Sequence, residues 1–286
     1  MLGVFANQVI QGVLLGGVYA MFALGLSLSI GVMRFVNIAH GDLIVFASYC
    51  LFFVTGLGLH PFAALALLLP FAFAGGYVLQ RLLLQRVVGK SMLSPLLVTL
   101  GLAIILQNGL LQGFGANPRK LSAGALGTAS IRVDGWSVGF LPLLTLCAAI
   151  ALISVLDRLL YHSPLGARIR AVSDDVAAAD LIGLPSAGIC ALAMGLVGLT
   201  VAVAACFIGL RVNFDPASGP GWLLTAFEAV VLGGLGSLWG TLAGGILLGV
   251  AQSLGAQLDA AWQALSGHLV FLAMFLLRPK GLFPKE

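Results

Sequence analysis

The sequence predicts an all-α bundle of helices embedded in a lipid bilayer, and three observations lead there. Only 24 of the 286 residues are Asp, Glu, Lys or Arg, whereas a soluble domain carries about a quarter. Hydrophobic residues make up 60% of the chain, and the mean hydropathy is +1.10. Apolar runs of roughly 20 residues, long enough to cross a hydrocarbon core, recur from one end to the other. Backbone in lipid must satisfy its own hydrogen bonds, which leaves helices or a closed barrel. Continuous apolar runs, not period-two alternation, select helices.

Taken in order, the candidate spans are 9–32, 43–59, 61–84, 92–114, 137–156, 186–210, a composite stretch 223–257, and 262–277. That is about eight membrane segments, one of them a broken or re-entrant hairpin. The spans fill the chain and leave no room for a soluble catalytic domain. The N-terminal MLGVFANQVIQG lacks the basic region of a secretory signal and is expected to remain as the lead-in to the first span. Cys50, Cys147, Cys190 and Cys206 all lie in apolar runs without a C-x-x-C pair, so they read as apolar filler and not as a redox or metal site.

Basic residues set the orientation. Arg34, Arg81, Arg86, Lys90, Arg158, Arg168, Arg170, Arg278, Lys280 and Lys285 fall on one side of these spans. Arg119, Lys120, Arg132 and Arg211 fall on the other. The positive-inside rule then puts the richer side in the cytoplasm. Span 186–210 leaves that side and the tail returns to it, so 223–257 is expected to enter and leave from outside, bending at GGLGSLWGT (233–241). The basic residues form no patch, which removes nucleic acid as a partner.

Glycine is abundant, 38 residues, with pairs inside spans at Gly16-Gly17, Gly75-Gly76, Gly233-Gly234 and Gly244-Gly245. Small residues let helices approach closely in a bilayer, and clusters beside polar residues suggest broken helices.

Polar groups at membrane depth are costly and so are functional candidates. The first group is Arg34-Phe35-Val36-Asn37-Ile38-Ala39-His40-Gly41-Asp42, between apolar runs with hardly any turn chemistry. Asn37 and Asp42 are cap-forming types, and Gly41 tolerates unusual dihedrals. The stretch reads as an interrupted helix pair. It is either a satisfied inter-span connection or a set of helix ends lining a pathway or gate. The second is Glu228, followed by a glycine-rich break at Gly233, Gly234 and Gly236. Its carboxylate needs a partner or a water-filled cavity, and Arg211 and Arg34 are the candidate partners. His268, Gln252, Gln107 and Asn108 read as hydrogen-bonding glue between helices.

The connection 157–185, DRLLYHSPLGARIRAVSDDVAAADLIGLP, is polar and mixed in charge. Ser173 can cap a short helix with Asp174 and Asp175 in its first turn. Ala177, Ala178 and Ala179 favour helix, and Gly183 before Pro185 ends it. It is either a connector or a docking element for a cytoplasmic partner. Gly89-Lys90-Ser91 resembles the end of a phosphate loop, but Leu84 stands where that motif needs glycine. No H-E-x-x-H, G-x-S-x-G or G-x-G-x-x-G constellation is present, so energy from ATP must come from another subunit.

Four blocks together resemble the permeases of branched-chain amino acid ABC importers, LivH type. They are LLGGVYAMFALGLSLSIGVMRFVNIAHGDL (14–43), LGARIRAVSDDVAAADLIGL (165–184), TAFEAVVLGGLGSLWGTLAGGILLGVAQSLGA (225–256) and RPKGLF (278–283). The resemblance implies a single permease domain over 1–286 with 157–185 as its cytoplasmic coupling loop. It also implies a subunit without an ATPase site or cofactor, in a bacterial inner membrane. The implied partners are a second, LivM-like permease, two cytoplasmic ATPases that bind ATP, and a periplasmic substrate-binding protein. The cargo would be branched-chain or other amino acids, or similar small carboxylates and amides. Arg170, Asp174, Asp175, Ala177, Ala178, Ala179 and Gly183 would then couple to an ATPase. Asn37, His40, Gly41, Asp42, Glu228, Gly233, Gly234 and Gly236 would line the path or gate. Glu228 departs from the small or apolar residues of the branched-chain systems. The competing class is an ion-coupled secondary transporter titrating Glu228 or Asp42.

Overall fold

The computed structural model describes residues 2–87, 91, 93–133 and 136–283. Lys90, Lys285 and the Gly89-Lys90 pair therefore lie outside the described residues. Helices α1 (Leu2–Met33), α2 (His40–Gly56), α3 (Pro61–Leu82), α4 (Leu93–Phe114) and α5 (Phe140–His162) come first. The short α6 (Pro164–Asp174) and α7 (Val176–Leu181) follow, and then α8 (Ser186–Arg211), α9 (Gly219–Gly233), α10 (Leu238–Leu258) and α11 (Trp262–Leu277). Six are long and apolar enough to cross a membrane, and α2, α9 and α11 are shorter apolar helices. The protein is a multi-pass helical membrane bundle.

At its centre α1 lies against α10, with α8 and α9 beside it. The contact is made by Gly12 and Gly16 on α1 and by Gly245 and Gly249 on α10, two glycine pairs at four-residue spacing. A Cβ on Gly12 or Gly16 would strike the α10 backbone at Val250 or Ile246, and one on Gly249 would strike the Gly12 carbonyl. Backbones touch where side chains are missing, the way helices associate in lipid. Helices α3 and α8 pair likewise, Gly76 against Met194 and Gly198 against Ala72.

Two differences from the sequence reading concern ends of elements. The fifth span begins at Phe140, not 137, because Ser130–Val133 (β1) and Trp136–Gly139 (β2) form an antiparallel hairpin. Alternating apolar and polar residues around Asp134-Gly135 are a hairpin signal legible in the sequence; those two residues lie outside the described set. The loop 157–185 holds two helices and not one. Asp175 caps α7, its carboxylate accepting from the Ala177 and Ala178 amides at 2.9 and 3.0 Å. Ser173 belongs to the last turn of α6 instead, and Asp174 ends that helix. The stop at Gly183 holds, with φ at +82°.

Helices α9 and α10 form the expected hairpin, bending at 234–237 with Gly234 and Gly236 at φ +105° and +77°. Gly236 meets Gly31 near the end of α1, which places the bend on the face carrying Arg34 and α6. Arg119 and Arg211 lie on the opposite face, where the Arg119 and Phe214 backbones bridge and Leu121 N–H donates to the Gly209 carbonyl. Arg34 on one face and Arg119 and Arg211 on the other thus fall where the topology requires.

Candidate functional site

Helix α1 ends at Met33, and Arg34 turns the chain back with φ at +55°, the left-handed region. The following residues fold into the bundle. Asn37, Ala39, His40 and Asp42 are all buried. The His40 ring nitrogen Nε2 lies 2.9 Å from the Phe22 carbonyl, eleven residues before the end of α1, or roughly 16 Å along its axis. This is the interrupted helix pair the sequence suggests. The caps differ from expectation. Asn37 Oδ1 accepts from the Ala39 amide at 3.0 Å in a turn ahead of α2, and the cap position, Ala39, has no side-chain bond. Asp42 sits in the first turn of α2, and its Oδ1 accepts from Gln107 Nε2 of α4 at 2.9 Å.

Gly41 has ordinary helical dihedrals, so its requirement is space and not backbone freedom. A Cβ there would collide with the Gly219 carbonyl, and one on Gly219 would collide with the Asp42 carboxylate. The N-terminal ends of α2 and α9 therefore meet inside the bundle with a carboxylate between them. A negative group is favoured beside helix N-termini. That gives the buried Asp42 a physical rationale with no basic side chain bonded to it among the described residues.

Two hollows lie along α4 on either side of this junction. The one near Asp215 is about 180 Å³ and is bounded by Gln107, Asn108 and Leu111. The other, about 710 Å³, is lined by Val36, Pro95 and Leu96 with Phe227 and Val231 of α9 and Leu235 of the bend. The Asp42–Gln107 bond ties α2 to α4 between them. Gln107, read from sequence as glue, is the partner that the sequence reading missed, and Thr99 is a second: its Oγ1 accepts from the Ile38 amide at 3.2 Å. Asn108 Nδ2 donates within its own helix, to the Ile104 carbonyl at 2.8 Å.

Glu228 takes neither expected partner. Arg211 donates to the Leu14 carbonyl and Arg34 to the Asp174 carbonyl. The partner is His268 of α11, whose Nδ1 lies 2.5 Å from Glu228 Oε1. Glu228 is 3% exposed, while the His268 side chain is 45% exposed. Tyr19 donates to Gln252 Oε1 in the same region, so α1 is tied to α10 by a second polar pair. Glutamate was legible as a costly group; its histidine was not, being forty residues away in the chain.

The third cluster gathers at the α6 end. Ser173 Oγ donates to the Gly31 carbonyl at 2.8 Å. Gly234 and Gly236 form the bend beside Gly31, and the tail docks on it, with Leu282 and Phe283 amides donating to the Leu232 and Gly233 carbonyls at 2.8 and 3.0 Å. Those carbonyls end α9 and would otherwise lack intrahelical partners. Gly233 packs against the Gly240 backbone across the bend. Arg170 and Asp174 line a hollow of about 630 Å³ with Arg34 and Gly236. Ala177 and Ala178 are exposed, Ala179 is buried, and Leu181 and Ile182 are 88% and 75% exposed.

A family model described as the permease component of branched-chain amino acid transport systems matches residues 8–277. The chain belongs to that permease family. Relatives of this permease include the high-affinity branched-chain amino acid transport permease BraD of Pseudomonas aeruginosa, 28% identical over 97% of this chain and 95% of its own. The corresponding LivH of Escherichia coli K12 is 27% identical with the same coverage. Among solved structures, PsaBC from Streptococcus pneumoniae in complex with Fab aligns over 98% of this permease and 97% of that chain, at 17% identity and a TM-score of 0.49. The family match spans the break, the α9–α10 bend and the α6–α7 loop alike.

Proposed function

We propose that this chain is the membrane-spanning subunit of a binding-protein-dependent ABC importer in a bacterial inner membrane. It moves branched-chain or other amino acids, or similar small carboxylates and amides. ATP is hydrolysed by separate cytoplasmic ATPases, and a second permease and a periplasmic binding protein complete the assembly.

The observation that carries this reading is the continuous contact from loop to path. The apolar residues Leu181 and Ile182, exposed beyond the membrane helices, suit a groove on an ATPase better than water. Displacing α7 moves α6, which grips α1 at Gly31 through Ser173 and holds Arg34 at the Asp174 carbonyl. Arg34 opens the segment leading to the Asp42–Gln107 bond, where α2, α4 and α9 converge. Two packed arrangements of these helices, biased by the loop, give alternating access. The Asp42–Gln107 bond lies between the two hollows, and in this reading its breaking opens a path between them.

Glu228 takes a structural role, holding α9 to α11, and does not contact substrate carboxylate. The test is co-purification with an ATPase together with uptake into vesicles. Uptake that needs ATP and the ATPase supports the importer. Uptake driven by an ion gradient without them supports a secondary transporter instead.

A further inference from the structure

We infer that the hollow beside α6 binds a free amino acid with an apolar side chain, held as its zwitterion on the face read as cytoplasmic. The consequence, which rests on the importer reading, is regulation by product: the delivered amino acid settles there and slows its own import. The hollow, about 630 Å³, lies where the end of α1, the end of α5 and α6 meet the α9–α10 bend. Arg34, Arg170 and Asp174 all line it, yet none of the three is in an ion pair among the described residues. Arg170 and Asp174 stand four apart on α6, a spacing at which such residues pair on a helix surface. Instead the Arg170 guanidinium lies over the Tyr161 ring, 5.2 Å from its centroid. Arg34 donates to the Asp174 carbonyl and not to its carboxylate.

Two polar atoms of this wall are buried without a hydrogen-bond partner among the described residues, Arg170 Nη1 and the Oγ of Ser27, a residue 0% exposed. Buried polar groups are almost always satisfied, so each calls for a ligand oxygen. A carboxylate supplies it. Arg170 and Arg34 offer guanidinium donors that match its geometry, and Ser27 can donate from the α1 side. The Asp174 carboxylate is then left for the ligand's ammonium. Phosphate or a dicarboxylate would suit the arginines but be repelled by Asp174. Apolar residues select the side chain. Leu160 of α5, Ile169 of α6 and Leu238 of α10 line the hollow, and an aliphatic group leaves water favourably against them. A ligand so held touches α1, α6 and the bend at once, the elements that shift against one another in alternating access. Its preference for this arrangement resists that shift.

The test uses the full-length chain with the subunits that co-purify with it, without the periplasmic binding protein, and L-leucine as the probe. Leucine should raise the melting temperature of this assembly and lower its ATP hydrolysis severalfold. Isocaproate, which lacks the ammonium, and leucinol, which lacks the carboxylate, should bind roughly tenfold more weakly or worse, the effect of losing one charge-assisted hydrogen bond. Arg170→Gln and Asp174→Asn should each lose the leucine shift. Each variant is read against its own ligand-free melting temperature, so lower stability is not mistaken for lost binding. Photo-leucine, whose diazirine leaves both charged groups intact, should crosslink to the α5 and α6 wall of the hollow. No shift with leucine, an equal shift with isocaproate, an undiminished shift in Arg170→Gln, crosslinks only outside that wall, or unchanged ATP hydrolysis overturns the assignment. Failure of the importer reading shows separately, as uptake that needs no ATP.

Discussion

Glu228 Oε1 on α9 and His268 Nδ1 on α11 lie 2.5 Å apart, and this pair joins two helices that otherwise meet mainly through α10. The contact fixes what each substitution should do. Glu228→Gln keeps a hydrogen-bonding side chain and should preserve most transport. Glu228→Leu leaves His268 unpaired at membrane depth and should cost about 1–3 kcal/mol, lowering the melting temperature and abolishing most uptake. Adding His268→Leu to Glu228→Leu should cost little more, since the interaction is already gone. Additive losses in that double-mutant cycle, measured by thermal unfolding in detergent, would show the two residues acting independently.

Gly41→Val and His40→Gln should separate. Valine at 41 drives a side chain into the Gly219 carbonyl and must push α9 from α2, so uptake should fall at least tenfold. Glutamine at 40 can still reach the Phe22 carbonyl and should be milder. The comparison needs only the uptake rates at matched membrane abundance. Equal tolerance of both would make the junction an ordinary connection.

The bundle was legible because lipid enforces helices and the apolar runs count them directly. The bend at 234–237 was legible too: charge asymmetry required an odd number of crossings between 210 and the tail, and a hairpin over 223–257 followed by a crossing at 262–277 is one solution. What the sequence could not place were the partners. Asp42 meets Gln107 and Glu228 meets His268 across gaps of 65 and 40 residues, and only packing brings them together. The choice of Arg211 and Arg34 for Glu228 failed because the two arginines donate instead to the Leu14 and Asp174 backbone carbonyls. Ser173 and Asp175 are both good caps by type. The structure chose Asp175 because Ser173 is occupied by Gly31.

Topology follows from the two faces. Single cysteines at 86, 168 and 282 should react with impermeant reagents only from the cytoplasm, and one at 120 only from outside. Position 282 is the sharpest of these, because its amide is bonded to the Leu232 carbonyl at the α9–α10 bend. Labelling of 282 from outside would reverse the bend and with it the orientation of α9, α10 and α11.

The central claim is that the α6–α7 loop passes ATPase movement to the helices, and neighbouring alanines test it most directly. Ala178 is exposed and Ala179 is 3% exposed. Ala179→Glu should destabilise the chain itself by burying a charge. Ala178→Glu should leave the fold intact and disturb only what docks on α7. The decisive measurement is uptake of radiolabelled amino acids by proteoliposomes holding the full assembly, with and without ATP, for wild type and Ala178→Glu. The account predicts ATP-dependent uptake by wild type and its loss in Ala178→Glu at unchanged chain abundance. Full ATP-driven uptake by Ala178→Glu, or wild-type uptake indifferent to ATP, would contradict it.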